Sequence, residues 1–553
     1  MVKRLAILLL ALPCLAATWY CDIDNTGSGN NNGTSWANAW TNFGAFSSSN
    51  VWSAGDTCYI SGGTYDFRLT MNYSGTVENP IVIKASQEVG HNDLVIIYVT
   101  DDFGVTLPGA VTLDGAKDDD WADSNITGTP DVYNITNNIG IRIVGSVSGD
   151  GTGALGFTKG VGCSNVLVKW VELTNHLDGA SSEQYGVLIK HTSPYNYVSN
   201  VIEYCYIHTT GQDAVGWKTS NADPDPTDWT VRYCFLDDIG DDHFEIKQGI
   251  TIHHNIIRES NKRNGHPDGI SGSGSHIIYY NNIVYDIYGR YTYPATWTEH
   301  ATNTHFYGNL IYWDDFDDFD SDAEGLFTPA WEDIGGLGPP DTNSSWTYMT
   351  FANNTLWLDG SGLNGNNSPD GGIRLFNRYA ASNTNTFTCT NWVIKNNIVI
   401  GGFQTGADLK GTNGNSGGAG YAYTEANMAF DYNIVWSTNA AGRNVRYWMT
   451  NHADVLDFND AVDSYSNNKT NEPVFVDLNG RDFRLDSSDT AALNAGTDLS
   501  SRNLPGLDTD LWGNTRGSDG TWDIGAHEYT DSSEHDAIGV KGRTRFKGRT
   551  KVR

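Results

Sequence analysis

Three short stretches share one register: DAVGWK (213–218), DHFEIK (242–247) and DGISGS (268–273), with YGVLIK (185–190) ahead of them. In strands whose side chains alternate between faces, Val187, Val215, Phe244 and Ile270 point one way, followed by Ile189, Trp217, Ile246 and Gly272. The other face then carries His243, Glu245 and a column of lysines, Lys190, Lys218 and Lys247. Asp213, Asp242 and Asp268 fall where the chain enters each strand. Stacked at about 4.8 Å, such carboxylates repel. They persist if a cation lies between them, if one keeps a proton, or if lysines intervene. Asp241 and Glu245 add two more acids. Together Asp213, Asp241, Asp242 and Glu245 offer enough hard oxygen donors for Ca²⁺. A structural use, capping turns through side-chain to backbone bonds, remains open for each Asp taken singly.

These strands belong to a longer repeat. VIEYCYIH (201–208), VRYCFLDD (231–238), IHHNIIRE (252–259), IYYNNIVYD (278–286), HFYGNLIYW (305–313), TFANNTLWL (350–358), VIKNNIVIG (393–401) and AFDYNIVW (429–436) align on one column. That column reads Cys205, Cys234, Asn255, Asn282, Asn309, Asn354, Asn397 and Asn433, at steps of 21 to 45 residues. Short β-branched and aromatic runs broken by Gly, Asn and Asp predict a parallel β-solenoid with loops of variable length. A sandwich and a propeller are the alternatives; most steps are too short for propeller blades of ~40–45 residues. The pattern resembles the right-handed parallel β-helix superfamily, which implies an all-β fold with an Asn ladder inside a turn.

The expected organisation is a signal peptide (1–17), an N-terminal cap (18–54), a β-helix (55–470), a C-terminal module (471–530) and a basic tail (531–553). GDTCYISGGTYDF (55–67) and PIVIKAS (80–86) look like opening coils, and the stretch before them shields an end that would otherwise expose unpaired strand edges. EPVFVDLNGRDFRL (472–485) with DTDLWGNTRGSDGTWDIGAHEY (508–529) resembles a module found at the C-terminal end of β-helix proteins, and is expected to act as an end cap. In the final 13 residues every odd position is basic, a tail that is either solvated or docks on an acidic partner.

Composition agrees. Of 553 residues, 66 are acidic and 34 basic, a net charge of −32 that opposes nucleic-acid binding. Charged residues are 18%, with 61 Gly, 28 Tyr and 18 Trp, which disfavours helical bundles and simple disorder. MVKRLAILLLALPCLAA reads as an export signal, and no later apolar run is long enough for a membrane span. Cys21, Cys58, Cys163, Cys205, Cys234 and Cys389 are too sparse for a disulfide scaffold.

DAVGWK followed one coil later by DDHFE resembles the calcium cluster of family 9 polysaccharide lyases. That resemblance implies Asp213, Asp241, Asp242 and Glu245 as Ca²⁺ ligands, Glu245 standing where the family has an Asp. It also implies a Lys base on a following coil, where this chain has Ser271; Lys247, His266 and Lys218 are the substitutes. A second resemblance is to polygalacturonase-type hydrolases, through Asp213, Asp241–Asp242 and Gly265–His266, with Arg290 as a later basic group; Asp268, from the acidic column, is a further catalytic candidate. Their Asn-Thr-Asp and Arg-Ile-Lys strings are absent. Tyr291 and Trp297, with Lys190, His243 and Arg290, are candidates for holding sugar. The acidic run 314–325 is a second candidate Ca²⁺ loop or a solvated one. The expectation is an exported enzyme cleaving an acidic polysaccharide, by β-elimination or by hydrolysis. The non-catalytic alternative is a glycan-binding adhesin.

Overall fold

The structure, a computed structural model, describes residues 16–26, 29–48, 51–98, 103–117, 132–145, 152–157, 163–175, 184–191, 199–219, 228–246, 249–259, 269–272, 275–287, 300–313, 344–358, 373–374, 386–401, 407–408, 422–437, 445–447, 450–452, 454, 456, 459 and 467–530. Among the described residues three long sheets of 15, 12 and seven strands build the solenoid, the seven-stranded one reaching from Leu69–Thr70 to Ile270–Gly272. One coil takes a strand from each in turn. Asn200–Glu203, Tyr206–His208 and Val215–Thr219 are followed by Trp229–Arg232, which pairs in parallel with Asn200–Glu203. The chain is thus a right-handed parallel β-helix, the hand that parallel crossovers take.

The turn between the first and second sheets holds the Asn column. Oδ1 of Asn282 accepts from both the backbone N–H and Nδ2 of Asn255, at 3.0 Å each. The same pair of bonds recurs from Asn282 to Asn309, Asn354, Asn397 and Asn433. Asn468 adds a further rung beyond the aligned repeat. Every amide in the column is buried, so each bond spares a desolvated polar group. Cys234 and Cys205 continue the column upstream, the Cys234 N–H donating to Asn255 Oδ1. Residues before the rungs turn left-handed, with φ of 56° at Tyr233, 55° at His254 and 52° at Asn281. Stacked rings of Trp170, Tyr204 and Tyr233 line that ridge. Cys21, Cys58, Cys163, Cys205 and Cys234 are buried thiols outside any disulfide.

Thr18–Cys21 pairs in parallel with Thr57–Ile60 and so forms the terminal strand of the first sheet. The chain then folds over that end on Trp40, Phe43, Phe46 and Trp52. The C-terminal module packs along the flank of the solenoid. The reason is an outward column of the second sheet that changes character along its length. Arg142, Glu172 and Tyr206 give way to Phe235, Ile256, Ile283 and Leu310, then Thr355, Ile398 and Ile434. Phe483, Leu485, Leu511 and Ile524 of the module cover this apolar half. Polar contacts fix the docking: Asn281 Nδ2 donates to the carbonyls of Thr509 and Asp510, Asn396 exchanges two bonds with Thr497, and Ala526 N–H donates to Thr355 Oγ1.

Candidate active site

The third sheet carries the shared register. Val187, Val215, Phe244 and Ile270 are paired in one column, and all are buried in the interior. On the outer face Leu188, Gly216, Glu245 and Ser271 follow one another. Phe103, Tyr185 and Leu188 pack together at the N-terminal side of that face. Glu245 is half-buried, at the edge of this apolar paving.

Asp213 and Asp242 stand on adjacent coils, as the register requires. Ala214 N–H donates to the Asp242 carbonyl and Val215 N–H to that of His243. Asp242 N–H in turn donates to Asp213 Oδ1 at 3.3 Å. Asp213 is 1% exposed. Its Oδ2 has no hydrogen-bond donor. Burial, then the nearby Glu245 and Asp241 carboxylates, push the Asp213 carboxyl well above its ordinary range. Burial and like charge together therefore disfavour the charged form of Asp213. On the outer face of the first sheet, by contrast, charges in register alternate: Lys84, Asp114, Lys169, Glu203, Arg232. Lys169 Nζ lies 3.3 Å from Asp114 and Arg232 2.6 Å from Glu203. At Asp213 and Asp242 the register sets like charge on like charge.

His243 corrects one expectation. The strand register predicts an outward side chain, but His243 is 0% exposed and its Nε2 bonds the Arg258 carbonyl at 3.0 Å. Strand alternation begins only at Phe244, so parity counted back into the turn gives the wrong side. Lys190 and Lys218 are strand partners in the third sheet. Only their backbones are described. Lys247, His266, Asp268, Arg290, Tyr291, Trp297 and the run 314–325 lie outside the described residues.

Two residues escaped the sequence reading. Gln184 and Gln212 sit one position before Tyr185 and Asp213, and Gln212 N–H donates to the Gln184 carbonyl. Gln184 is 1% exposed, yet neither atom of its amide has a partner. Gln212 donates from Nε2 to Asp241 Oδ2 at 3.4 Å, while its buried Oε1 has no donor. The available signal was their shared register, one residue ahead of the acidic column.

Among the described residues no three His, Cys, Asp or Glu side chains are placed to hold a metal ion. The carboxylates alone therefore do not make a calcium site. Ca²⁺ takes about six to eight oxygens, amide carbonyls among them. Once the donor-free oxygens of Gln184, Gln212 and Asp213 are counted, the chemistry of the set fits a hard cation.

No family model and no curated protein matches the chain. Among solved structures it is similar to the pectate lyase Pel9A, at 13% identity and a TM-score of 0.41, over 93% of this chain and 96% of that one. It is similar to a PL6 family polysaccharide lyase from Pseudopedobacter saltans, at 15% identity and TM-score 0.42, over 70% and 81%. It is also similar to a GH136 lacto-N-biosidase from Eubacterium ramulus, at 12% and 0.40, over 70% and 64%. Among the described residues no helix is long and apolar enough to cross a membrane.

Proposed function

We propose that this chain is an exported polysaccharide lyase that cleaves an acidic, uronate-containing polymer by β-elimination on the outer face of the third sheet. The observation that carries this reading is the buried Asp213 carboxyl, set beside Glu245 and Asp241 and bonded to the Asp242 backbone of the next coil. Such a cluster has negative charge in excess, which an anionic substrate meets only through a counter-ion. Asp213, Asp241, Asp242 and Glu245 are the proposed holders of Ca²⁺. When bound, Ca²⁺ supplies a Lewis acid that neutralises the substrate carboxylate and acidifies the proton α to it. The chain's own part is to orient the uronate against the sheet edge and to remove that proton. Lys218 and Lys247 are the proposed bases, with His266 as the imidazole alternative. Lys190, Arg290, Tyr291 and Trp297 are proposed to hold neighbouring sugars.

One observation favours a second reading, glycoside hydrolysis. A carboxyl whose charged form is disfavoured by burial, on the coil next to that of Glu245, resembles the pairing of general acid and nucleophile that retaining enzymes use at ~5–5.5 Å. Asp268 would be a further acid there.

Incubation with a panel of uronate polymers separates the readings. New ultraviolet absorbance from unsaturated ends supports elimination. Reducing ends without absorbance replace it with hydrolysis. Neither product, with retained glycan binding, leaves an adhesin.

A further inference from the structure

The buried edge of the third sheet holds more oxygen than its acids account for. Gln184 lies on the coil before Asp213, its backbone carbonyl accepting from Gln212 N–H at 2.9 Å, while Gly186 N–H donates to the Asp213 carbonyl at 3.0 Å. A β-carbon built on Gly211 would stand 3.0 Å from Gln184 Oε1, so that amide is turned toward the Gly211–Asp213 segment. Gln212, on that segment, reaches forward to Asp241. Three consecutive coils thus place Gln184, Gln212 with Asp213, and Asp241 with Asp242 along one edge. Both amide atoms of Gln184, Oε1 of Gln212 and Oδ2 of Asp213 are buried without a hydrogen-bond partner. A buried amide with neither end paired is costly to fold. Because both ends are unpaired, turning the amide over presents its oxygen equally well.

We propose that Gln184 and Gln212 are neutral ligands of a calcium ion held with Asp213 and Asp241, which makes the site a mixed amide and carboxylate cage on three coils. The inference rests on the calcium reading of the acidic cluster and extends it to residues that reading does not include. It accounts for two observations together. The Asp and Glu side chains by themselves do not assemble a metal site, and on the same three coils the Gln184 and Gln212 amide oxygens are buried without donors. Neutral ligands also suit the electrostatics, because they add coordination without adding to the repulsion around Asp213.

The test uses the full chain, stripped with chelator and titrated with Ca²⁺ by calorimetry, with the melting temperature followed with and without the ion. Gln184→Leu and Gln212→Leu each remove a ligand while keeping an apolar side chain of similar length. Each is expected to weaken Ca²⁺ binding about tenfold or more and to shrink the Ca²⁺-induced rise in melting temperature. The metal-free melting temperature stays level or rises, since an unpaired buried amide has gone. Gln184→Glu restores binding. A packing role gives the opposite pattern, a lower metal-free melting temperature with the Ca²⁺ increment intact, and overturns the proposal. So does a parent protein that binds no Ca²⁺. Loss of Ca²⁺ binding in both variants, together with no cleavage of any uronate polymer by the parent, sustains this inference and removes the lyase. Cleavage that persists in chelator, with no Ca²⁺ bound, does the reverse.

Discussion

A β-carbon at Gly216 would stand 2.9 Å from Oδ2 of Asp213 and 2.2 Å from the Tyr185 ring. The absence of a side chain at that one position is what lets the Asp213 carboxyl lie against the sheet, beside Glu245, the register partner of Gly216. Gly216→Ala is expected to displace Tyr185 and Asp213 together. Overpacking of this kind costs about 1–3 kcal/mol. Because the interior column of Val187, Val215 and Phe244 is untouched, circular dichroism keeps its β-sheet form while glycan cleavage falls at least as far as in Asp213→Asn. Unchanged cleavage in Gly216→Ala would separate Asp213 from the chemistry.

Asp213 also sets a pH dependence. Its folded carboxyl titrates above the ordinary Asp value, through burial and then the Glu245 and Asp241 charges. The protonated form is the one the bare fold favours. Its contribution is fully present below about pH 3.9 and is lost as pH rises through the folded value. Asp213→Asn removes that loss. In chelator, melting curves of the variant from pH 4 to 8 are expected to be flatter than those of the parent, and higher at the alkaline end. Parallel curves would place the proton elsewhere.

Two histidines, His253 and His305, act in the other direction. His253 and His254 approach Nδ1 to Nδ1 at 2.8 Å. Burial, then the neighbouring His254 and Arg232, depress His253 to about 3. Burial, then Arg502 and His276, depress His305 to about 4. Both are neutral in the fold. Their contribution is complete above about pH 6.5 and is lost as pH falls toward those values. Arg502 belongs to the flanking module and donates to Thr350 Oγ1, so protonated His305 repels the segment that holds the module down. His305→Gln is expected to reduce the fall in melting temperature between pH 6.5 and 4.5. An identical fall in parent and variant would exclude His305.

Asn309 tests the ladder. Its Oδ1 accepts twice from Asn282, and its Nδ2 donates to the Tyr279 carbonyl and to Asn354 Oδ1. Asn309→Ala leaves the Asn282 N–H without an acceptor inside the fold. A cost of about 3 kcal/mol or more is expected by denaturant unfolding, against about 0.5 kcal/mol for an exposed substitution.

The ladder and the interior column were legible because each repeats one requirement at every coil. A residue that bonds its own copy at the coil spacing must recur, and so must an apolar side chain at alternate positions. Asn255, Asn282, Asn309, Asn354, Asn397 and Asn433 announce the fold despite steps of 21 to 45 residues, since loop length does not alter the cross-section. Asp213 and Asp242 were placed on adjacent coils by the same register. Other features depend on contacts that no local pattern encodes. His243 is turned inward by the Arg258 carbonyl, fifteen residues on. Gln184 and Gln212 look like ordinary polar residues until the coils stack and leave their amides enclosed. The flanking position of the module follows from Phe235, Ile256, Ile283, Leu310 and Ile398 forming one apolar surface, which exists only after strands far apart in the chain lie side by side. Short-range periodicity therefore determined the coil, and the burial created by stacking decided which side chains meet at the acidic edge and which face takes the C-terminal module.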